Sequence, residues 1–302
     1  MLWRAAWKNL RVRIGGGILL LLMAACIFSM PWTLQPNSRY FYDLQTPALA
    51  RHEPSLPRPM IFGADILGRS LLARCLIGGA ISLGIGFAAA AISVVLGVTV
   101  GLVAGFKGGW IDGLLMRTVD VLYGLPYILL VILLKLAFED KVRVSYFHGI
   151  GPAANIIVLF LAIGLVSWLT MARVIRGQVL SLRTLPFIEA ARAAGLPERR
   201  IFMRHLLPNL IGPITVYATL TIPQAILQES FLSFLGIGIE PPLPTWGSLA
   251  AEGMMPALNP LQSCWWLLVF PCTLLAVTLL SLNFLGDGLR DIFDPRREGA
   301  KI

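Results

Sequence analysis

Charge is what this 302-residue sequence has least of. Asp, Glu, Lys and Arg make up 14% of it, against about 25% in soluble globular domains. Hydrophobic residues make up 57%, above the roughly 45–50% of a soluble domain, so the shortage of charge excludes an ordinary soluble fold and points to lipid as solvent. Basic residues are too sparse to form a basic–aromatic stripe, so the net charge of +9 needs another cause and no nucleic-acid partner is expected. The four cysteines, Cys26, Cys75, Cys264 and Cys272, lack CxxC or CxxH spacing, which removes the case for a zinc site or a disulfide framework. Three of them lie in apolar runs, where a thiol acts as a small hydrophobe. Also missing are GxxxxGK[ST], HExxH, GxSxG and paired membrane aspartates. No catalytic residue, metal or cofactor is therefore assigned to this chain. The internal repeats typical of ion-driven secondary transporters are not visible either.

What is present is a set of long apolar runs. A bilayer core of roughly 30 Å takes about 20 apolar residues per helix. Six runs are of that order, at 14–30, 76–106, 113–138, 152–175, 210–235 and 264–285. The expectation is an all-α polytopic membrane protein with about six transmembrane helices. Arg4, Lys8, Arg11 and Arg13, then Lys107 and Arg117, the arginines from Arg173 to Arg204, and Arg290, Arg296, Arg297 and Lys301 all fall on one side if both termini are cytoplasmic. The net positive charge is thus a topology signal. Met23-Ala24-Ala25-Cys26 loosely resembles a lipoprotein cleavage box, but the apolar run continues through Ile27 and Phe28, so the first span is read as retained.

Within the spans, Gly97, Gly101 and Gly105 recur every four residues, which puts them on one helix face and predicts a close helix–helix contact. Gly84-Ile85-Gly86 lies inside a span with no strand before it and is no nucleotide fingerprint. Ionisable residues in a membrane are functional candidates by default. Asp120 and Arg117, three residues apart, are expected to pair along their helix. Lys135 is placed near the outer end, where it would snorkel. Glu229 is expected close to the outer surface, either pairing with a residue of loop 236–263 or facing a pathway mouth. Pro213 and Pro223 in the same span invite kinks.

The loop at 177–207 reads as two short helices. Thr184 is the expected cap of the first, with Pro186 in its opening turn and Gly195 as its stop. Pro197 and Glu198 open the second, and Pro208 marks a bend into the next span. Ala190, Ala191, Ala193 and Ala194 leave the first helix bare enough to enter a groove on another protein, although alanine is also simply a good helix former.

Glu189-Ala190-Ala191, then Gly195, then Leu207-Pro208 resembles the EAA motif of permease subunits in ATP-binding-cassette importers, with His205 where that motif usually has Ile. Gly63-Ala64-Asp65-Ile66-Leu67-Gly68-Arg69 is similar to a GTDxxGR segment of dipeptide and oligopeptide permeases. Glu229 to Gly236 with Pro241-Pro242 and Trp246-Gly247, and Gly286-Asp287-Gly288-Leu289-Arg290-Asp291 with Asp294-Pro295, resemble two further signatures of that family. The stretch 163–235 is most like the C-type subunit of oligopeptide permeases.

The resemblance implies the type I importer permease fold, divided into an N-terminal span and extracytoplasmic loop (1–75) and a permease core (76–302) with a coupling loop at 177–207. It also implies a bacterial inner-membrane location. The partners would be a second permease subunit, two ATPase subunits that use ATP and Mg, and an extracytoplasmic binding protein that delivers peptide. Glu189, Ala190, Ala191, Gly195, Leu207 and Pro208 would form the ATPase-coupling loop.

Overall fold

The computed structural model describes residues 9–55, 60–145 and 153–293 and, among these, is built almost wholly of helices. The basic residues Arg4, Lys8, Arg296, Arg297 and Lys301 and the Asp294-Pro295 pair lie outside the described residues. In chain order the helices are α1 (Leu10–Thr33), α2 (Leu71–Lys107), α3 (Gly109–Tyr123), α4 (Tyr127–Ser145), α5 (Ala153–Arg183), α6 (Pro186–Ala193), α7 (Glu198–Ile201), α8 (Leu207–Phe234), α9 (Trp246–Ala257) and α10 (Trp266–Phe293). Five of the long helical stretches are apolar and long enough to cross a membrane, and α3 with α4 makes a sixth if counted as one span.

That sixth span corrects an expectation. The apolar run at 113–138 reads as one continuous helix, but the chain bends by 95° between Tyr123 and Tyr127. Pro126 lacks the N–H that would bond back to Leu122, and its ring disfavours helical geometry at Leu125. Hydropathy sees only the apolar side chains, which do not report the missing donor.

The centre of the bundle is α2, whose 37 residues extend about 55 Å at 1.5 Å per residue. Its glycine face meets α5. A Cβ built at Gly101 would lie 2.5 Å from the Ala172 carbonyl oxygen, and one at Gly97 2.5 Å from the Met171 Cβ. At Gly105 the nearest atom is the Val179 Cβ, at 2.8 Å. The expected close approach is therefore present, along a little over two turns of α2. Gly86 seats α2 against Ile222 and Ile226 of α8. On the flank, α1 packs on α10, with Gly15 against the Ser281 carbonyl and Asn9, the N-cap of α1, donating to the Gly288 carbonyl at 3.3 Å. Pro213 and Pro223 do not interrupt α8, which stays helical from Leu207 to Phe234.

Helix α9 is too short to span a bilayer at twelve residues. A reciprocal capping box holds its start, Thr245 with Ser248. Its first residue, Trp246, is buried and donates its indole N–H to the Cys75 carbonyl at 2.9 Å, so α9 is tied to α2 where it begins. Among the described cysteines, Cys26, Cys75 and Cys264 are buried thiols and Cys272 is exposed, all unbridged.

Candidate functional site

The expected docking loop is present, with altered detail. Helix α5 continues to Arg183, so the loop proper starts at Thr184 and not at Gly177. Thr184 does not cap α6: its hydroxyl donates to the Ser181 carbonyl, and the extended Leu185 is the N-cap, with Pro186 as the first helical residue. Gly195 ends α6 with φ +76°. Its N–H bonds to the Arg192 carbonyl (2.9 Å) and that of Leu196 to Ala191 (3.2 Å), the paired bonds of a Schellman stop. Arg192 reaches Glu198 at 3.0 Å and links α6 to α7.

Ile188, Ala191, Ile201 and Leu206 are buried in a small cluster against Phe106 at the end of α2 and Leu182 at the end of α5. The four alanines therefore do not share a face. Ala191 turns inward, while Glu189, Ala190, Ala193 and Ala194 are exposed. Leu207 is half-buried and Pro208 exposed at the start of α8. The expected bend at Pro208 is absent, because a π-helical stretch, Phe202–Leu206, carries the chain from α7 into α8 as one continuous helix.

The arginines of α5 reach toward α2 and α3. Arg176 makes a two-point contact with Asp112, at 2.5 and 2.6 Å, and Arg183 donates to the Gly105 carbonyl at 2.7 Å. Asp120 pairs with Arg173 at 2.7 Å and not with Arg117, which is exposed and makes no ion pair among the described residues. The Arg173 guanidinium also lies over the Tyr123 ring, 4.3 Å from its centre. It thus gains a carboxylate and an aromatic face together, which a helical neighbour of Asp120 does not.

Glu229 is fully buried, and hydroxyls surround it. Ser233 and Thr245 each donate to it at 2.7 Å, and Ser82 lies at 3.5 Å. It pairs with the loop residue Thr245 and does not face a pathway mouth. Its carboxyl joins α8, α2 and the cap of α9. Lys135 does not snorkel. It is buried and donates to the carbonyls of Ile237 and Gly238, at 2.8 and 2.9 Å.

Sequence reasoning missed a charged cluster at the start of α2. The Asp65 carboxylate accepts from the backbone N–H groups of Leu67 and Arg69, from Arg69 Nε at 2.6 Å and from Arg74 Nη1 at 3.0 Å. Arg69 continues to Asp43 at 3.0 Å, and Arg74 to Glu252 of α9 at 2.7 Å. Arg74 is only 2% exposed. Burial works against the charge on Arg69, but hydrogen bonds and the fields of Asp43, Asp65 and Glu252 outweigh it and raise its proton affinity above the ordinary guanidinium value. The one sequence signal was the positioning of Asp65 and Arg69 on either side of Gly68, whose φ is +77°.

An all-helical membrane bundle with a bent span and a short outlying helix held by an EAA-type loop defines a class, the permease of an importer. Residues 97–299 match the family described as "Binding-protein-dependent transport system inner membrane component". The chain is 41% identical over 300 residues to the oligopeptide transport system permease protein OppC of Escherichia coli, covering 97% of this chain and 92% of that one. It is 43% identical over 243 residues to the protein of the same name from Haemophilus influenzae, covering 80% of this chain and 72% of that one. Identity to the dipeptide transport system permease protein DppC of Bacillus subtilis is 40% over 297 residues, covering 97% and 84%. Among solved structures, a chain of the MetNI methionine ABC transporter in inward-facing conformations superposes with a TM-score of 0.55 over 72% of this chain and 96% of that one, at 21% identity, a likeness of fold. The chain belongs to the family of binding-protein-dependent transport system inner membrane components: it is a multi-pass inner-membrane permease of the ATP-binding-cassette importer class.

Proposed function

We propose that this chain is one of two membrane subunits of an ATP-driven importer of peptides, and that α6 receives an ATPase subunit. The reading of the solute rests on the relatives, which are named for oligopeptide and dipeptide transport. The observation that carries the coupling role is the split exposure of α6. Ile188 and Ala191 seat the helix on the ends of α2 and α5, and the opposite side offers Glu189 with three exposed alanines. Such a helix is fixed to the bundle yet bare enough to enter a groove.

In this reading both termini and α6 are cytoplasmic, as the basic bias indicates. ATP and Mg are used by the partner ATPases, since this sequence has no phosphate-binding GxxxxGK[ST]. A second permease subunit completes the pathway, and a binding protein outside the membrane delivers the peptide. Glu189 anchors α6 in the ATPase groove. Force on α6 passes to α2 through Phe106 and to α5 through Leu182.

The test is uptake of a labelled tripeptide by cells carrying the complete transporter. Glu189→Ala and Ala190→Trp alter exposed positions, so the protein should still insert at normal abundance while uptake is lost. Normal uptake by both variants would overturn the docking role.

A further inference from the structure

Helix α8 carries Tyr217, Thr221, Gln224 and Gln228 at steps of four, three and four residues, which places them on one helix face. This face has no charge and several hydrogen-bonding groups, and it lies within a stretch apolar enough to span a membrane. It borders a cavity of about 430 Å³ whose other walls come from α5 and from the bend between α3 and α4. Those walls add Tyr123, Tyr127, Ser167 and Thr170, and none of the lining residues is charged. The charges nearest the bend are Asp120 and Arg173, which neutralise each other.

An amide facing hydrocarbon without a partner costs on the order of several kcal/mol, so a lipid-facing position would select against Gln224. Gln224 is exposed and has no side-chain partner among the described residues. Gln228 is held in place, since its carbonyl accepts from the Tyr127 hydroxyl across the cavity. The hydroxyls of Thr221 and Ser167 turn back onto their own helices, onto the carbonyls of Tyr217 and Ile163. The groups left facing the cavity are therefore amides, phenols and the Thr170 hydroxyl, which both donate and accept.

We propose that this concave face is the chain's wall of the solute pathway, and that its neutral lining engages the amide backbone of a passing peptide without sorting side chains by charge. The proposal rests on the importer reading above. A wall of mixed donors and acceptors meets the N–H and C=O groups that every peptide carries. A fixed charge in the same place would repel part of the solute pool and retain another part, because opposite and like charges at close range differ strongly in a poorly hydrated channel.

The test uses cells carrying the complete transporter and three probes: trialanine, triglutamate and trilysine. Gln224→Glu should slow triglutamate uptake about ten-fold relative to trilysine, and Gln224→Lys should reverse that preference. Trialanine uptake should change less than either. Equal effects on all three peptides, or none, would overturn the proposal. A second readout does not depend on the solute. With Cys26, Cys75, Cys264 and Cys272 replaced by serine or alanine, Gln224→Cys should react with a water-soluble charged thiol reagent, whereas Leu21→Cys, exposed in the middle of the flanking helix α1, should not. Failure of Gln224→Cys to react would place it in lipid or under a partner subunit and overturn the pathway assignment. Reaction at Gln224→Cys without uptake of any of the three peptides by the unsubstituted transporter would keep the wet pathway and overturn the peptide reading.

Discussion

The two ends of α2 are built on opposite principles. At its start, Asp65, Arg69 and Arg74 form a buried ion-pair cluster, and the partly exposed Glu252 ties it and the loop before α2 to α9. At its finish, Phe106 supports α6 through a small apolar cluster, and the ion pairs around it, Arg176–Asp112 and Arg192–Glu198, are partly exposed and stand outside that cluster. A buried charged pair is no bargain in stability against apolar packing, but breaking one is severe, so such a cluster fixes one geometry. A short helix resting on few apolar side chains has a low local stability. One end is thus a fixed point and the other a handle, joined by a rigid shaft whose glycine face packs along α5.

The comparison breaks first at the fixed point. Arg74→Met removes a buried cation and leaves Asp65 and Glu252 to share Arg69, an expected loss of about 3 kcal/mol. Thermal unfolding of the detergent-purified protein, followed by tryptophan fluorescence, should show a greatly lowered midpoint or no folded protein. An unchanged midpoint would mean that the cluster does not fix this end. The shaft comes next. Gly101→Leu forces a side chain into the Ala172 carbonyl, and overpacking of this kind costs about 1–3 kcal/mol. Gly84→Leu is the control on the same helix, since a Cβ there meets nothing within 4 Å. It should leave the unfolding midpoint in place, and an equal fall in both variants would remove the special role of the α2–α5 contact.

Much of this layout was legible in the sequence. Apolar runs located the spans, and the four-residue glycine repeat located the face of α2 that another helix approaches, because both are properties of side-chain type along one helix. The failures have a common physical source. Asp120 looked paired with Arg117 because local spacing was the only available geometry, whereas its partner Arg173 comes from another helix. Lys135 looked free to snorkel until the loop after α8 folded over it with two carbonyls. Arg74 was hidden by the apolar run that follows it, and its burial depends on carboxylates at positions 65 and 252. The bend at Pro126 had a local signal, a proline after Gly124 in an otherwise unbroken run. The polar face of α8 also had a local signal, its helical spacing, but Gln, Thr and Tyr scattered in an apolar segment do not declare which face they share until the period is counted.

The smallest expected effect is the one that separates handle from fixed point most cleanly. Gly195 and Gly236 both end helices with the same pair of Schellman bonds, at φ +76° and +77°, and a Cβ at either meets nothing within 4 Å. Alanine at either therefore adds only the left-handed backbone cost, about 1 kcal/mol. The two sites lie beyond opposite ends of α8, Gly195 at the foot of α6 and Gly236 after Phe234. If α6 is the handle, Gly195→Ala loosens the stop that orients it, and peptide uptake should fall by a factor of about five while the unfolding midpoint barely moves. Gly236→Ala carries the same backbone penalty at the end away from the docking loop, and should leave uptake near that of the unsubstituted protein. Equal loss in both variants would mean that transport responds to helix-end strain anywhere in the bundle, and the distinction between the two ends of α2 would then have no functional content.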